Sequence, residues 1–181
     1  EIKTSQGSAP DKTVVDVNVQ EKSTGEINLG AGYSSTSGVL ADVGVKESNF
    51  LGRGQELRAR ATLAARMNQM EFGFTEPYFL GREVAAGFDV FRTQQDLQSE
   101  SSYDSDIRGF NLRASYSLQE KWQHSVRYTM RSTNISDIQP GASRFITGQA
   151  GANVTSSIGQ ALTYDGRDSK TAPTKGYYLN I

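Results

Sequence analysis

Two carboxylates and an arginine near the end of the chain have the residue types that acid–base chemistry uses. Asp165, Arg167 and Asp168 stand close together in the sequence, so the two acids form a candidate pair for general acid and base catalysis. The same set also suits a turn whose backbone is clamped by charge-assisted hydrogen bonds. We favour the clamped turn, which gives these residues a structural role.

His124 is the only histidine of the chain and follows Trp122 closely on a predicted apolar face, near a short turn. A catalytic or metal-binding histidine needs partners that converge on it, and the sequence offers none. There is no cysteine, which excludes disulfides and thiolate chemistry. We therefore predict a structural role for His124 at a membrane boundary, and no metal, no cofactor and no enzymatic activity.

The composition of the 181 residues narrows the class of protein. The net charge is -1 and there is no basic run, so nothing points to nucleic acid. No segment approaches the roughly 18–20 apolar residues that a membrane-spanning helix needs, and no signal peptide is visible. The 18 glycines and 4 prolines suit a turn-rich sheet. Membrane-spanning strands alternate apolar and polar residues, so the negative mean hydropathy does not exclude a membrane.

Apolar and polar residues alternate along most of the chain, as in β-strands whose two faces meet different surroundings. Residues 1–6 and 13–21 are predicted to form a hairpin. Further strands are predicted at 26–33, 39–46, 70–75, 84–91, 110–118, 122–131 and 156–164, and another begins at 177–181. Residues 54–66 fit a strand but are also rich in helix formers. We favour a strand there, because the strand at 70–75 needs an outgoing partner.

The connections between these strands alternate in length. Short turns are predicted at 49–54, 76–82, 119–121 and 165–176, and loops at 34–38, 66–69, 93–106 and 132–153, of which the last two are long. Short turns on one side and longer loops on the other are typical of bacterial outer-membrane barrels. A soluble sandwich is the alternative from periodicity alone. The loop lengths and the aromatic residues at the turns favour the barrel.

One predicted face carries nearly all of the charge: Glu56, Arg58, Arg60, Arg113, Arg127 and Arg131. In a barrel this face lines a wet lumen. The arginines could bind an anionic ligand, but we expect them to pair with Glu56, Glu71 and Asp89 on neighbouring strands, because like charges directly opposite each other are destabilising.

A four-residue segment occurs twice, as Phe50-Leu51-Gly52-Arg53 and Phe79-Leu80-Gly81-Arg82. Each copy supplies a glycine for a backbone position that other residues resist and an aromatic ring suited to a membrane boundary. We predict two tight turns at the same side of the sheet with one hairpin between them.

Three ordered motifs resemble the BamA family of outer-membrane barrel assembly factors. They are Asn49-Phe50-Leu51-Gly52-Arg53-Gly54, Glu76-Pro77-Tyr78-Phe79-Leu80-Gly81-Arg82, and Asp165-Gly166-Arg167-Asp168 followed by Pro173-Thr174-Lys175-Gly176. The resemblance implies an all-β fold: an antiparallel up-and-down transmembrane β-barrel, partial with about eight to nine strands, preceded by a short periplasmic β-hairpin. Residues 1–24 would end a periplasmic POTRA module, and residues 25–181 would form the N-terminal half of the barrel. The chain would then be a fragment that does not close a barrel by itself.

The resemblance also implies a function: insertion of β-barrel proteins into the bacterial outer membrane. Its partners would be unfolded outer-membrane protein clients, accessory lipoproteins of the assembly complex and outer-membrane lipid. The first barrel strand would be an edge that templates client strands, through Glu26, Ile27, Asn28, Leu29, Gly30, Ala31, Gly32 and Tyr33. The alternatives are a two-partner secretion transporter, a passive outer-membrane pore, and an outer-membrane hydrolase, for which the sequence shows no nucleophile with an adjacent base.

Overall fold

A computed structural model describes residues 2–9, 11–19 and 22–181 and contains two antiparallel sheets. The smaller sheet is the predicted hairpin of β1 (Ile2–Gln6) and β2 (Thr13–Val17), in register from Ile2 opposite Val17 to Gln6 opposite Thr13. The prediction for 13–21 is too long at residues 18 and 19, which are not in a strand. Positions 1, 10, 20 and 21, on which parts of the predicted hairpin fall, lie outside the described residues.

The larger sheet has nine strands in which each strand pairs with the next along the chain. This confirms the predicted up-and-down topology and the strand number. The strands are β3 (Gly25–Ser34), β4 (Gly38–Phe50), β5 (Gln55–Ala64), β6 (Met67–Glu76), β7 (Val84–Asp96), β8 (Asp104–Gln119), β9 (Trp122–Ser136), β10 (Gly151–Asp165) and β11 (Tyr178–Asn180).

The ambiguous segment 54–66 is strand β5, as we favoured. It pairs with β4 from Leu40 opposite Ala64 to Phe50 opposite Gln55, and with β6 from Glu56 opposite Thr75 to Leu63 opposite Asn68. Two pairing partners outweigh the helix propensity of its alanines and leucines, which is a weak preference per residue.

The two long polar loops predicted at 93–106 and 132–153 are wrong at their ends. Strand β7 continues to Asp96 and β8 begins at Asp104, while β9 continues to Ser136 and β10 begins at Gly151. The remaining connections contain two short helices, α1 (Gln98–Ser101) and α2 (Arg144–Thr147). No helix in the described residues is long and apolar enough to cross a membrane.

Burial in the large sheet is the reverse of that in a water-soluble domain. Along β4 the shielded positions include Asp42, Gly44 and Lys46, and in β7 Asp89 is only 4% exposed although its neighbours Phe88 and Val90 are exposed. Large apolar side chains on the other face are open, as for Leu29 at 79% and Ile158 at 78%, and Ile135 is the only buried hydrophobic residue described. We call these the polar face and the apolar face. An apolar face of this extent fits contact with lipid and a shielded polar face fits a lumen.

Candidate functional site

The predicted client-strand residues, 26–33, all lie in β3 at one edge of the large sheet. β3 pairs with β4 along its whole length, from Gly25 opposite Glu47 to Ser34 opposite Gly38. No described strand pairs with its other side, and all its residues except Ser34 are exposed. Its main chain therefore presents a free row of hydrogen-bonding groups in this part of the protein.

Side chains add almost nothing to the joint between β3 and β4. Among the described residues, none of the side chains of 25–33 makes a hydrogen bond or ion pair. The side-chain links at this joint lie at its two ends, where the Thr24 hydroxyl bonds to Glu47 and the Ser34 hydroxyl accepts from the Ser37 N–H at 3.3 Å. The ionic links of the polar face start at β4, with Lys46 3.3 Å from Glu56 and Arg60 2.9 Å from Asp42. Main-chain bonds alone hold the body of β3.

Crowding does not require glycine at positions 30 and 32 of β3. A Cβ on Gly30 would meet the Asp42 side chain at 3.5 Å, and one on Gly32 would meet Leu40 at 3.4 Å, both ordinary contact distances. Glycine in a strand interior lowers stability, since it packs no side chain and loses more freedom on ordering. Neither distance requires glycine at position 30 or 32.

An ion cluster crosses β5 to β8 on the polar face, and we define it by Arg58, Asp89 and Arg113. The Asp89 carboxylate accepts hydrogen bonds from Arg58 Nη2 at 2.6 Å and from Arg113 Nε and Nη2, both at 3.1 Å. Arg58 also lies 3.6 Å from Glu71 and 3.8 Å from Glu56. The predicted pairing of lumenal arginines with these three acids is confirmed for Arg58 and Arg113.

Strand glycines make room for this cluster, which the sequence analysis missed. A Cβ on Gly73 would lie 2.6 Å from Asp89 Oδ1 and 2.8 Å from Arg58 Nε, and one on Gly87 would lie 3.2 Å from the Arg113 guanidinium. The available signal was a glycine inside an otherwise regular strand, which often marks a close approach.

The predicted pairing is wrong for the arginines of β9 and different for Arg60. Arg60 binds Asp42 on β4, through Nε at 2.9 and 3.2 Å. Arg127 and Arg131 form no ion pair with any described residue, because glycine, threonine and Arg113 occupy the positions opposite them. The anionic ligand considered for these arginines therefore stays a hypothesis for β9.

The two copies of the repeated segment form the same turn at the same end of the sheet, with the β5–β6 hairpin between them, as predicted. Leu51 and Leu80 have φ of 56° and 55°, and the following Gly52 and Gly81 have φ of 70° and 71°. In each, the glycine N–H donates to the carbonyl three residues earlier at 2.9 Å. The left-handed leucine was not predicted, since only glycine was expected to adopt this backbone.

The other family-motif residues hold these turns. Asn49 Oδ1 accepts from the Gly54 N–H at 2.6 Å. The Glu76 carboxylate accepts from the Tyr78 N–H at 3.0 Å and from Gln55 Nε2 at 2.6 Å. Because Gln55 begins β5 directly after the first turn, the second bond links the second turn to the first. A Cβ at Gly54 would meet Pro77 at 3.8 Å, so the two turns lie side by side.

Asp165, Arg167 and Asp168 form the clamped turn that we favoured over a catalytic pair. Arg167 donates to Asp165 through Nε at 2.8 Å and Nη2 at 2.9 Å. Asp168 accepts from the Thr174 hydroxyl at 2.5 Å and from the N–H groups of Thr174 at 2.9 Å and Lys175 at 3.1 Å. These hydrogen bonds, that from the Thr174 hydroxyl first, hold the pKa of Asp168 at about 2.

The backbone conformation and close packing of this turn explain why position 176 is a glycine. Gly176 has φ of 95°, and a Cβ there would overlap the Gly166 carbonyl. Pro173 is exposed between the two halves of the clamp.

His124 takes part in an aromatic contact on the apolar face. Its Nδ1 lies 2.8 Å from the Tyr116 hydroxyl, and the two rings meet edge to face with centroids 5.3 Å apart. In the part of the chain that the structure describes, no group of three or more His, Cys, Asp or Glu is placed to hold a metal ion. The contact fits the structural role predicted for this histidine.

Known proteins share this architecture. The family model described as Omp85 superfamily domain matches residues 49–181. BamA of Neorickettsia risticii is 24% identical over 164 residues, covering 91% of this chain and 22% of that protein. BamA of Neisseria meningitidis serogroup B is 30% identical over 115 residues, covering 61% of this chain and 14% of that protein. The chain thus spans at most about a fifth of the length of these relatives.

The fold likeness extends over the whole chain. The crystal structure of BamA from Haemophilus ducreyi lacking POTRA domains 1–3 superposes with a TM-score of 0.63 at 20% identity, covering 100% of this chain and 38% of that one. The nine-stranded sheet therefore has the fold of part of a transmembrane barrel, as predicted. The family model that matches residues 49–181 establishes that the chain belongs to the Omp85 superfamily, and the curated relatives support its membership of the BamA family within it.

Proposed function

We propose that the protein assembles β-barrel proteins in the outer membrane and that the free side of β3 templates the incoming client strand. The observation that carries the proposal is the edge itself. β3 offers ten residues of extended main chain, and no side chain from 25 to 33 binds it to the described residues. The relatives are named outer membrane protein assembly factors, which supports the general activity.

Templating by this edge needs no particular client sequence. A strand added to an exposed edge gains main-chain hydrogen bonds whatever its side chains are. Within lipid, an unsatisfied backbone group costs several kcal/mol, so the strand that closes the barrel can leave β3 readily only as another takes its place. We call the joint between β3 and the strand that closes the barrel the seam. Gly30, Gly32 and Asn28 lower the stability of the seam and favour this exchange.

The joints between the other strands of the sheet are more stable than the seam. β4 to β8 are linked across strands by Asp42–Arg60, Lys46–Glu56 and the ion cluster. Opening is thereby directed to the seam, because every later joint up to β8 must break side-chain links as well as main-chain bonds.

The partners in this proposal are unfolded outer-membrane proteins, accessory lipoproteins of the assembly complex and outer-membrane lipid. Residues 1–24 end a POTRA-like module in the periplasm. The mechanism is a strand exchange, so it requires no enzymatic step and no cofactor.

A reversible lock on the seam tests the proposal. One cysteine replaces Asn28 and a second is placed at the facing position of the closing strand in the full-length protein, which is then reconstituted in lipid vesicles. We expect the disulfide to stop insertion of an unfolded client barrel and reduction to restore it. Full insertion with the seam demonstrably locked would rule out client entry at β3.

The matched control is a disulfide inside the sheet. Ser115 and Ser125 lie directly opposite each other on β8 and β9, so Ser115→Cys with Ser125→Cys adds the same crosslink away from the seam. This variant should insert clients normally in both redox states. Single-channel conductance without client insertion would instead identify a pore or secretion transporter.

A further inference from the structure

The repeated turns combine two features that are unfavourable in water. Leucine in the left-handed region is strained, because its Cβ crowds the following carbonyl, and glycine or asparagine would adopt this backbone more easily. The Leu51 and Leu80 side chains are also 73% and 83% exposed. Backbone strain that persists at an exposed position points to a function for the side chain.

Both turns project into open space. A Cβ added at Gly52 or at Gly81 would meet nothing within 4 Å, so the tip of each turn is open, and the leucines that precede these glycines stay largely exposed. Strain and exposure thus occur twice, in the same geometry, at two neighbouring connections of one sheet.

Neighbouring residues indicate the surroundings that these leucines meet. Phe50 and Phe79 precede them and are 36% and 47% exposed. Arg53 and Arg82 follow them, and their side chains form no hydrogen bond or ion pair with any described residue. Arg53 acts on the Glu76 carboxylate through its charge but forms no hydrogen bond with it. An apolar tip beside guanidinium groups whose hydrogen-bond donors are unused matches the boundary of a phospholipid leaflet, where the tip enters the acyl region and the arginine meets the phosphate.

The position of the turns in the sheet agrees with a membrane boundary. The end of the sheet that carries them also carries an aromatic cluster, with Trp122 and Tyr164 ring centroids 5.0 Å apart and Tyr164 and Tyr177 centroids 5.0 Å apart. Along β9, the stretch from Trp122 to Ser132 covers about 34 Å and projects to about 24 Å at a tilt of about 45°, close to the apolar band of about 25 Å in outer-membrane barrels.

We propose that the two turns are paired lipid anchors: Leu51 and Leu80 insert into the periplasmic leaflet of the membrane, and Arg53 and Arg82 bind its phosphate groups. The anchors would fix the height and tilt of strands β4 to β7 in the bilayer. This inference does not depend on the proposed assembly function, and its test measures membrane position without any client.

Tryptophan scanning tests the proposal directly. Leu51→Trp and Leu80→Trp are introduced singly into full-length protein whose native tryptophans, including Trp122, are replaced by phenylalanine. The variants are reconstituted in phosphatidylcholine–phosphatidylglycerol vesicles, and Ser99→Trp in the exposed helix α1 is the control. Brominated phospholipid with bromines high on the acyl chain should quench positions 51 and 80 several-fold more than position 99, and aqueous iodide should quench them less.

Two outcomes would overturn the proposal. Quenching of positions 51 and 80 by iodide, as at position 99, would place the turns in water. Protection from both quenchers would place them against protein.

A second measurement uses the sign of a stability change. Leu51→Asn with Leu80→Asn relieves the backbone strain, so in an aqueous turn it would raise the urea concentration of half-unfolding. A lipid anchor predicts a lower midpoint in vesicles, and a higher one would contradict it.

Discussion

The ion cluster on the polar face makes a quantitative prediction about Asp89→Asn. Asp89 is almost fully buried and accepts three hydrogen bonds from two guanidinium groups. Asparagine keeps the size but removes the charge, so Arg113 loses its only ion pair with the described residues, while Arg58 keeps Glu71 at 3.6 Å and Glu56 at 3.8 Å. Breaking a fully buried pair in this way costs about 3–5 kcal/mol. Because the two arginine side chains stay 39% and 23% exposed, water recovers part of the loss, and we expect about 2–3 kcal/mol.

The assay is urea unfolding of the full-length protein in lipid vesicles, with Asp106→Asn as the matched control. Asp106 forms a similar two-bond pair with Arg92, at 2.7 and 3.0 Å, but the Arg92 side chain is 51% exposed. An exposed pair of this kind contributes about 0.2–1 kcal/mol. Equal losses for the two variants would refute the reasoning, since burial would then add nothing.

A double variant separates the charge effect from lost hydrogen bonds. Asp89→Asn combined with Arg113→Gln removes the cation that has no other carboxylate partner among the described residues, so it should be less destabilised than the sum of the two single changes. Strict additivity would show that the unpaired charge is not the cause.

Three further changes test the faces, the packing and the clamped turn. Leu112→Arg on the apolar face should cost about 2–4 kcal/mol of unfolding free energy in vesicles and Ser115→Arg on the polar face much less, whereas equal costs would indicate a soluble two-layer fold. Gly73→Ala should cost about 1–3 kcal/mol because its Cβ collides with the ion cluster, while Gly159→Ala, which meets nothing within 4 Å, should be near neutral in the same titration. The depressed pKa of Asp168 means that its stabilising effect is complete above the unfolded value of about 3.9 and is lost as pH falls towards about 2. The protection of the turn amides, measured as their hydrogen-exchange rate relative to the intrinsic rate at the same pH, should therefore fall over that range, and Asp168→Asn should remove this pH dependence.

Strand number and strand order could be predicted from the sequence because alternation persists wherever one face meets lipid and the other a polar interior. Which face meets lipid was predicted from the loop lengths and the aromatic residues at the turns, because alternation alone fits a soluble sandwich equally well. Outside the apolar band both faces meet polar surroundings, so alternation stops although the backbone remains in the sheet. Arg92 and Asp106 illustrate this: they lie in the predicted loop 93–106 or at its edge, yet they are bonded across β7 and β8. For this reason the sequence predicted loops where β7 to β10 continue.

The features of the site that escaped prediction depend on distances between strands. Gly73 is an ordinary strand glycine in the sequence, and its role emerges only from the 2.6 Å that would separate its Cβ from Asp89. The unpaired state of Arg127 likewise depends on which residues the register places opposite it. The left-handed backbone of Leu51 has no signal in the sequence, because leucine rarely adopts it.

The strand order has a consequence for how the barrel is built. Every strand from β3 to β11 pairs with its neighbours in sequence, so nearly all pairings close short loops and cost little chain entropy. The sheet can grow one hairpin at a time, each addition covering the edge left by the previous one. In the barrel that we propose, closure at β3 would be different, because it would join residues far apart in the chain at a higher entropy cost than any hairpin. We therefore expect closure to be the slowest step of assembly.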